Sequence, residues 1–171
     1  IVLVHVDGTT TFAAALACFY LKIEVGHVEA GLRTNNLYSP FPEEFNRTAV
    51  GIISKYNFAP TEWAKANLLR EGKKADSIYV TGNTVIDALK TTVKKEYQSK
   101  DLDWAKGSKL ILLTAHRREN LGEPMHRMFR AVRRIVDENV DCKVLYPIHL
   151  NPIVRKIAKE ELEGCDRIRL I

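Results

Sequence analysis

Apolar and polar positions along the chain switch repeatedly between two periods. Ile1–Val6 (IVLVHV) is a mostly apolar run of the kind buried on both faces of a parallel sheet. Thr9–Lys22 follows with helical spacing, then Glu24–Val28 as a strand and a polar loop to Pro42. The same alternation predicts a helix over Glu43–Lys55, a strand over Tyr56–Ala59, a helix over Glu62–Glu71, a strand over Ser77–Val80 and a helix from Thr84 toward Lys95. Further on, Leu110–Thr114 (LILLT) reads as a buried strand, Pro124–Asn139 as a helix, Lys143–Ile148 as a strand, Pro152–Leu162 as a helix and Arg167–Ile171 as a strand. Strands that alternate with helices pair in parallel through right-handed crossovers, which predicts a doubly wound α/β sheet.

Residues 96–109 (EYQSKDLDWAKGSK) are polar and break this rhythm, so they are expected to link two units, 1–95 and 110–171. The chain opens inside a strand without an initiator Met and stops on the strand RIRLI, so both units are expected to be incomplete. Composition adds exclusions. Of 171 residues, 46% are apolar and 27% charged, which argues against disorder, collagen and coiled coil. No apolar run reaches the roughly 20 residues of a membrane helix, and no basic n-region suggests a signal peptide. Three cysteines, with no metal-type spacing, argue against a disulfide framework and fit a reducing cytoplasm. The net charge of +5 suits either nucleic acid or a small phosphate-bearing substrate. A stripe of Arg127, Arg130, Arg133 and Arg134 without any recognition motif reads as a solvated helix face, which argues against nucleic acid.

Chemistry is expected beyond the carboxyl ends of the strands. Asp7 leaves the first strand, and Gly8-Thr9-Thr10-Thr11 opens a helix that suits an anion, the alternative being that Asp7 or Thr9 only caps it. In Gly26-His27-Val28-Glu29-Ala30-Gly31-Leu32-Arg33, His27 and Glu29 are two apart and are expected to share a strand face. Glu29, flanked by apolar residues, suits acid–base work; the competing reading is a Glu29–Arg33 surface pair. Pro42-Glu43-Glu44 enters a helix with acids at its positive end, and Glu43 stands i,i+4 from Arg47. His116-Arg117-Arg118 at the end of LILLT offers an imidazole and two guanidiniums for a diphosphate. His149 ends another strand, as a ligand contact or a half-buried histidine. No GxGxxG, GxxxxGK[ST], CxxC or HExxH occurs, so nicotinamide, P-loop and zinc chemistry lose their usual sequence support.

Read together, VHVDGTTTFAAALA, VGHVEAGLRT, YSPFPEEFNR, FAPTEWAKANLLREG, VTGNTVIDAL, LTAHRREN and YPIHLNP resemble the non-hydrolysing UDP-N-acetylglucosamine 2-epimerases. The resemblance covers nearly all of this chain but only the middle of a family member. It implies two Rossmann-like domains in the glycosyltransferase-B arrangement, with residues 1–95 in the first and 110–171 in the second. It also implies interconversion of UDP-GlcNAc and UDP-ManNAc by elimination and re-addition of UDP, for surface-polysaccharide precursors. No cofactor or metal is implied, and the implied assembly is a cytoplasmic homodimer. By motif, Asp7, Glu29, Glu43 and His116 correspond to the family's catalytic group. Arg117 and His149, with Glu43, match positions that help hold an additional UDP-GlcNAc, and Arg118 and Arg33 are further candidates for UDP-sugar contact. The family usually reads HGDTTT where this chain has His5-Val6-Asp7-Gly8-Thr9-Thr10. Val6 is therefore expected to obstruct close ligand approach, and Gly8 removes a hydroxyl. An epimerase of a related UDP-diacetamido sugar, a hydrolysing 2-epimerase, a glycosyltransferase-B transferase and an inactive UDP-sugar-binding protein remain the alternatives.

Overall fold

The structure, a computed structural model, describes residues 1–171. It divides into two compact units, Ile1–Lys94 and Lys95–Ile171.

In the first unit, strands β1 (Val2–His5), β2 (Val25–Val28), β3 (Tyr56–Ala59) and β4 (Ile78–Val80) form one parallel sheet in chain order. Register pairs Val2 with Val25, Gly26 with Tyr56, and Asn57 with Ile78. Helices α1 (Thr9–Tyr20), α2 (Glu43–Ile53) and α3 (Glu62–Arg70) provide the crossovers, and α4 (Thr84–Thr92) follows β4. Because strand order follows the chain, the winding runs in one direction across these four strands, without the reversal that defines a doubly wound sheet. The side chains of Val4, Ala15, Cys18, Val25 and Val50 close the core between β1, β2 and the helices α1 and α2. Ala30, Ala59, Ala64, Leu68 and Ile78 form a second core beneath α3. Gly31 has φ +87°, and a Cβ there would stand 2.3 Å from the Ala64 carbonyl oxygen, so the β2–α2 loop can hug α3 only with glycine.

In the second unit, β5 (Lys109–Leu112), β6 (Cys142–Tyr146) and β7 (Ile168–Leu170) are again parallel and in chain order, crossed by α6 (Glu123–Glu138) and α7 (Pro152–Leu162). Its core packs Met125 and Phe129 of α6 and Val154, Ile157 and Leu162 of α7 around the fully buried Tyr146. The stretch expected as plain linker carries a further helix, α5 (Lys100–Ala105). Ser99 caps it by accepting from the Leu102 amide at 3.2 Å. Its Trp104 ring lies under two cations, Lys143 at 4.9 Å and Arg169 at 4.5 Å, and Asp101 pairs with Arg169 at 2.9 Å.

Candidate functional site

Two turns at the carboxyl edge of the first sheet carry the expected carboxylates. β1 and β2 are adjacent, and their last paired residues are His5 and Val28. Asp7 follows the first strand by two residues and Glu29 the second by one. Both turns contain a non-glycine residue in the left-handed region, Val6 at φ 63° and Glu29 at φ 66°. Such a conformation costs on the order of 1–3 kcal/mol, and a β-branched residue is unusual in it. The position where the resemblance expects glycine is thus one whose backbone favours glycine. Gly8, by contrast, has an ordinary extended backbone at φ −65°, ψ 160°, and nothing stands within 4 Å of where its Cβ would be.

Three side chains from two elements, His27 of β2 and Asn46 and Arg47 of α2, brace the Val6–Asp7 turn. The Val6 amide donates to the Val28 carbonyl at 3.0 Å. The His27 ring bonds the Val6 carbonyl through Nε2 at 2.7 Å. A carbonyl only accepts, so Nε2 carries the proton. Asn46 Nδ2 donates to the Asp7 carbonyl at 2.8 Å, and the Arg47 guanidinium pairs with the Asp7 carboxylate. His27 is 1% exposed, and burial, reinforced by Arg33, His5 and Arg47, pushes its pKa down to about 4. Its Nδ1 is buried without a partner.

Sequence spacing placed His27 and Glu29 on one strand face, and the structure corrects this. β2 ends at Val28, and the left-handed Glu29 breaks the alternation, so Glu29 Oε2 reaches His5 Nε2 at 3.5 Å while His27 turns to Val6. His5 Nε2 also lies 3.3 Å from the Thr84 hydroxyl at the start of α4. The competing Glu29–Arg33 pair does not form. Arg33 makes a bidentate pair with Glu71 (2.6 and 2.8 Å) and donates to the Leu32 carbonyl at 2.7 Å. A cavity of about 160 Å³ lined by Arg33, Asn35, Asn67, Arg70 and Glu71 adjoins that pair. Neither Asp7 nor Thr9 caps α1. Its N-cap is Gly8, with no side-chain bond, and the Thr11 hydroxyl donates back to the His5 carbonyl at 2.6 Å.

The i,i+4 pair Glu43–Arg47 is also replaced. Arg47 turns to Asp7 and to Glu44, whose Oε2 lies 3.6 Å away. Glu44 is 1% exposed, and its Oε1 accepts from the amides of Thr34 and Asn35, both at 2.9 Å. It thereby ties the long β2–α2 loop to the helix. Glu43, half-buried on the first turn of α2, keeps its carboxylate free of ion pairs. Sequence reasoning therefore missed Glu44, Asn46 and Arg47, and His5 with them. The signal available for Glu44 and Arg47 was their i,i+3 spacing in PEEFNR; nothing local marked Asn46 or His5.

In the second unit, the residues after β5 and β6 come together. The His116 and His149 rings stack with centroids 5.6 Å apart and planes 17° apart. The Asn151 amide donates to His149 Nδ1 at 3.0 Å, which leaves Nε2 of that ring to carry the proton when it is neutral. Asn151 also caps α7 through the Ile153 amide at 2.9 Å. Beneath His116, the Tyr146 hydroxyl donates to the Ala115 carbonyl at 2.5 Å, fixing the strand exit from within the core. Arg117 and Arg118 are exposed at the start of a short 3₁₀ turn, Arg118–Asn120, and neither joins an ion pair. Both guanidiniums are thus uncommitted, and a guanidinium is the group that meets phosphate oxygens in bidentate fashion.

A larger concavity of about 470 Å³ lies at the amino ends of β3 and β4, lined by Lys55, Lys73 and Lys74 among others. Lys73 Nζ donates to the Ser54 and Ile52 carbonyls at 2.9 and 3.3 Å, so its charge closes the C-terminus of α2.

One unit ending in carboxylates and another in imidazoles and guanidiniums, each a parallel α/β sheet, define a Rossmann-like protein whose units are those of glycosyltransferase-B folds. The chain belongs to the UDP-N-acetylglucosamine 2-epimerase family, whose model matches residues 1–171. It is 63% identical over 171 residues to the UDP-N-acetylglucosamine 2-epimerase of Bacillus subtilis, covering 100% of this chain and 45% of that protein. Among solved structures, the S. aureus MnaA–UDP complex superposes with a TM-score of 0.95 at 54% identity, over 99% of this chain and 46% of that one. The Neisseria meningitidis UDP-GlcNAc 2-epimerase bound to UDP-GlcNAc gives 0.85 at 44% identity, over 99% of this chain and 48% of that one. The chain thus spans about half the length of the relatives it matches.

Proposed function

We propose that the intact protein carrying this chain epimerises UDP-GlcNAc at C2 to UDP-ManNAc. The observation that carries this reading is the braced pair of acidic turns on adjacent strands, Asp7 held by Arg47 and Glu29 facing His5, in a chain that matches the family over its whole length. Relatives solved with UDP and with UDP-GlcNAc support a UDP-sugar as the substrate.

In this reading a carboxylate among Asp7, Glu29 and Glu43 takes the C2 proton. The electron pair of the C2–H bond forms the C1=C2 double bond, the C1–O bond breaks, and its electrons leave with UDP, giving a 2-acetamidoglucal. Return of a proton to the opposite face of C2 and of UDP to C1 completes the inversion. Preorganised cations favour the leaving diphosphate, a role suited to Arg117 and Arg118, with His116 supplying a proton. His149 and Arg117 serve the same anionic chemistry for a second, regulatory UDP-sugar. Glu43 is the one carboxylate of the three that meets no basic side chain, which leaves it available as a base or as a hydroxyl acceptor.

The same reading takes the intact protein as a cytoplasmic homodimer. No helix is long and apolar enough to cross a membrane, and the three cysteines are free. Phe19, Tyr20, Leu21 and Ile52 lie exposed on α1, its C-terminal end and α2. Exposed apolar side chains of this kind suit an interface, and the proposal takes a second copy as their cover. Light scattering on the intact protein with and without Ile52→Asp tests it: a dimer that dissociates supports this face, an unchanged dimer removes it.

The activity is tested by proton NMR of the intact protein with UDP-GlcNAc in D₂O. UDP-ManNAc carrying deuterium at C2 is expected. Release of free ManNAc and UDP would assign a hydrolysing enzyme instead. Binding without any turnover would assign a sugar-nucleotide-binding protein.

A further inference from the structure

We infer that His27 is a positioning residue, which holds the Val6 carbonyl and through it the left-handed turn that presents Asp7. What Asp7 then does rests on the epimerase reading above; what His27 does rests on the geometry alone.

The argument starts from strain. Val6 has φ 63°, where a β-branched residue persists only if its surroundings over-determine the turn. On its amino side the constraint is the Val6 amide bonded to Val28, an extension of the β1–β2 ladder. On its carboxyl side the Val6 carbonyl meets one polar side chain, His27, at 2.7 Å. Asn46 and Arg47 act one peptide later, on the Asp7 carbonyl and carboxylate. Without the His27 bond, the 6–7 peptide is free to rotate toward the extended region that valine prefers, taking the Asp7 carboxylate away from Arg47.

His27 is built for this single task. It sits on β2, between β1 and β3, with its ring fully buried, so its Nε2 is held as rigidly as the sheet. Burial keeps the ring neutral near pH 7, so one nitrogen donates and the other has nothing to do. A leucine or phenylalanine would fill the same space without leaving a buried nitrogen unsatisfied. The residue is therefore better explained by the bond it donates than by the volume it fills. The bond holds a valine at a backbone position that favours glycine.

The test uses the intact protein and a rescue design, with His27→Leu, His27→Gln, Val6→Gly and the doubly substituted Val6→Gly/His27→Leu. Gln carries an N–H donor at the reach of Nε2; Leu carries none. The expected result is a kcat for His27→Leu lowered by roughly tenfold or more with KM nearly unchanged, the signature of a misplaced catalytic group. His27→Gln is expected to keep most of the activity, and adding Val6→Gly to His27→Leu to restore most of what was lost. An unaltered kcat in His27→Leu overturns the proposal, and so does an equal loss with valine or with glycine at position 6. Should His27→Leu not fold, His27→Asn takes its place: it has the same amide as Gln on a side chain one carbon too short to reach. Equal activity of the Asn and Gln variants then refutes the clamp. If the parent protein shows no epimerase activity, the proposed function fails separately. The clamp is then read from urea unfolding: Val6→Gly must shrink the drop in midpoint caused by losing His27, and equal drops overturn it.

Discussion

A histidine that must stay neutral to be buried makes stability depend on pH in a defined window. Burial pushes the His27 pKa down to about 4, whereas in the unfolded chain it returns to the ordinary histidine value of 6.5. Between those two values the unfolded state binds a proton that the native state refuses, so stability falls as the pH drops from 6.5 toward 4. Above 6.5 the contribution is complete, and below 4 both states are protonated and no more is lost. A gap of two to three units at about 1.4 kcal/mol per unit gives about 3 kcal/mol across the window. That is a large part of the 5–15 kcal/mol typical of whole domains. The absolute curve is a composite over all the groups that titrate in this range. The informative quantity is the difference between the parent and His27→Gln, which keeps an N–H donor but cannot titrate. Urea unfolding of the intact protein at half-unit steps from pH 4 to 8 is expected to show two curves that separate progressively below pH 6.5. Curves that stay parallel from pH 4 to 7 would refute the account of His27 as a ring held neutral by burial.

Three further outcomes follow from the geometry. Gly31→Ala places a Cβ 2.3 Å from the Ala64 carbonyl oxygen at φ +87°, and combining backbone strain with overpacking it should cost about 3 kcal/mol, read from the urea midpoint. Tyr146→Phe removes the donor to the Ala115 carbonyl and should cost about 1–3 kcal/mol in unfolding free energy, with a fall in kcat because His116 is the next residue. Replacing Arg117 and Arg118 together by Ala should raise KM for UDP-GlcNAc at least about tenfold without changing the unfolding midpoint, since neither side chain joins an ion pair, whereas an unchanged KM would remove the diphosphate role.

The elements that sequence periodicity revealed are those whose burial repeats along the chain. β2 is buried at Val25, Gly26 and His27 in succession, the run expected of an inner parallel strand. α6 shows its buried Met125, Phe129 and Val136 at helical spacing. α5 was not legible, because its six residues, three of them charged, are too few to show a period, and the partners of its large anchor Trp104, Lys143 and Arg169, lie 39 and 65 positions away in sequence. The site divides in the same way. Asp7, Glu29, His116 and His149 could be singled out as candidates because each follows the carboxyl end of a strand. Which acid of the PEE pair turns inward was not legible, since the choice is made by the Thr34 and Asn35 amides that meet Glu44. Val6 carries the sharper lesson. As a departure from HGDTTT it read as an obstacle to a ligand, that is, as a statement about its side chain. Its φ of 63° makes it first a statement about the backbone, whose cost falls on the chain before any ligand arrives. The residue that answers that cost, His27, lies 21 positions away on the neighbouring strand, in a motif that drew notice for its glutamate. A substitution at a glycine position is therefore best read together with the hydrogen bonds that converge on its carbonyl, and those are set by strand pairing rather than by the motif in which the substitution appears.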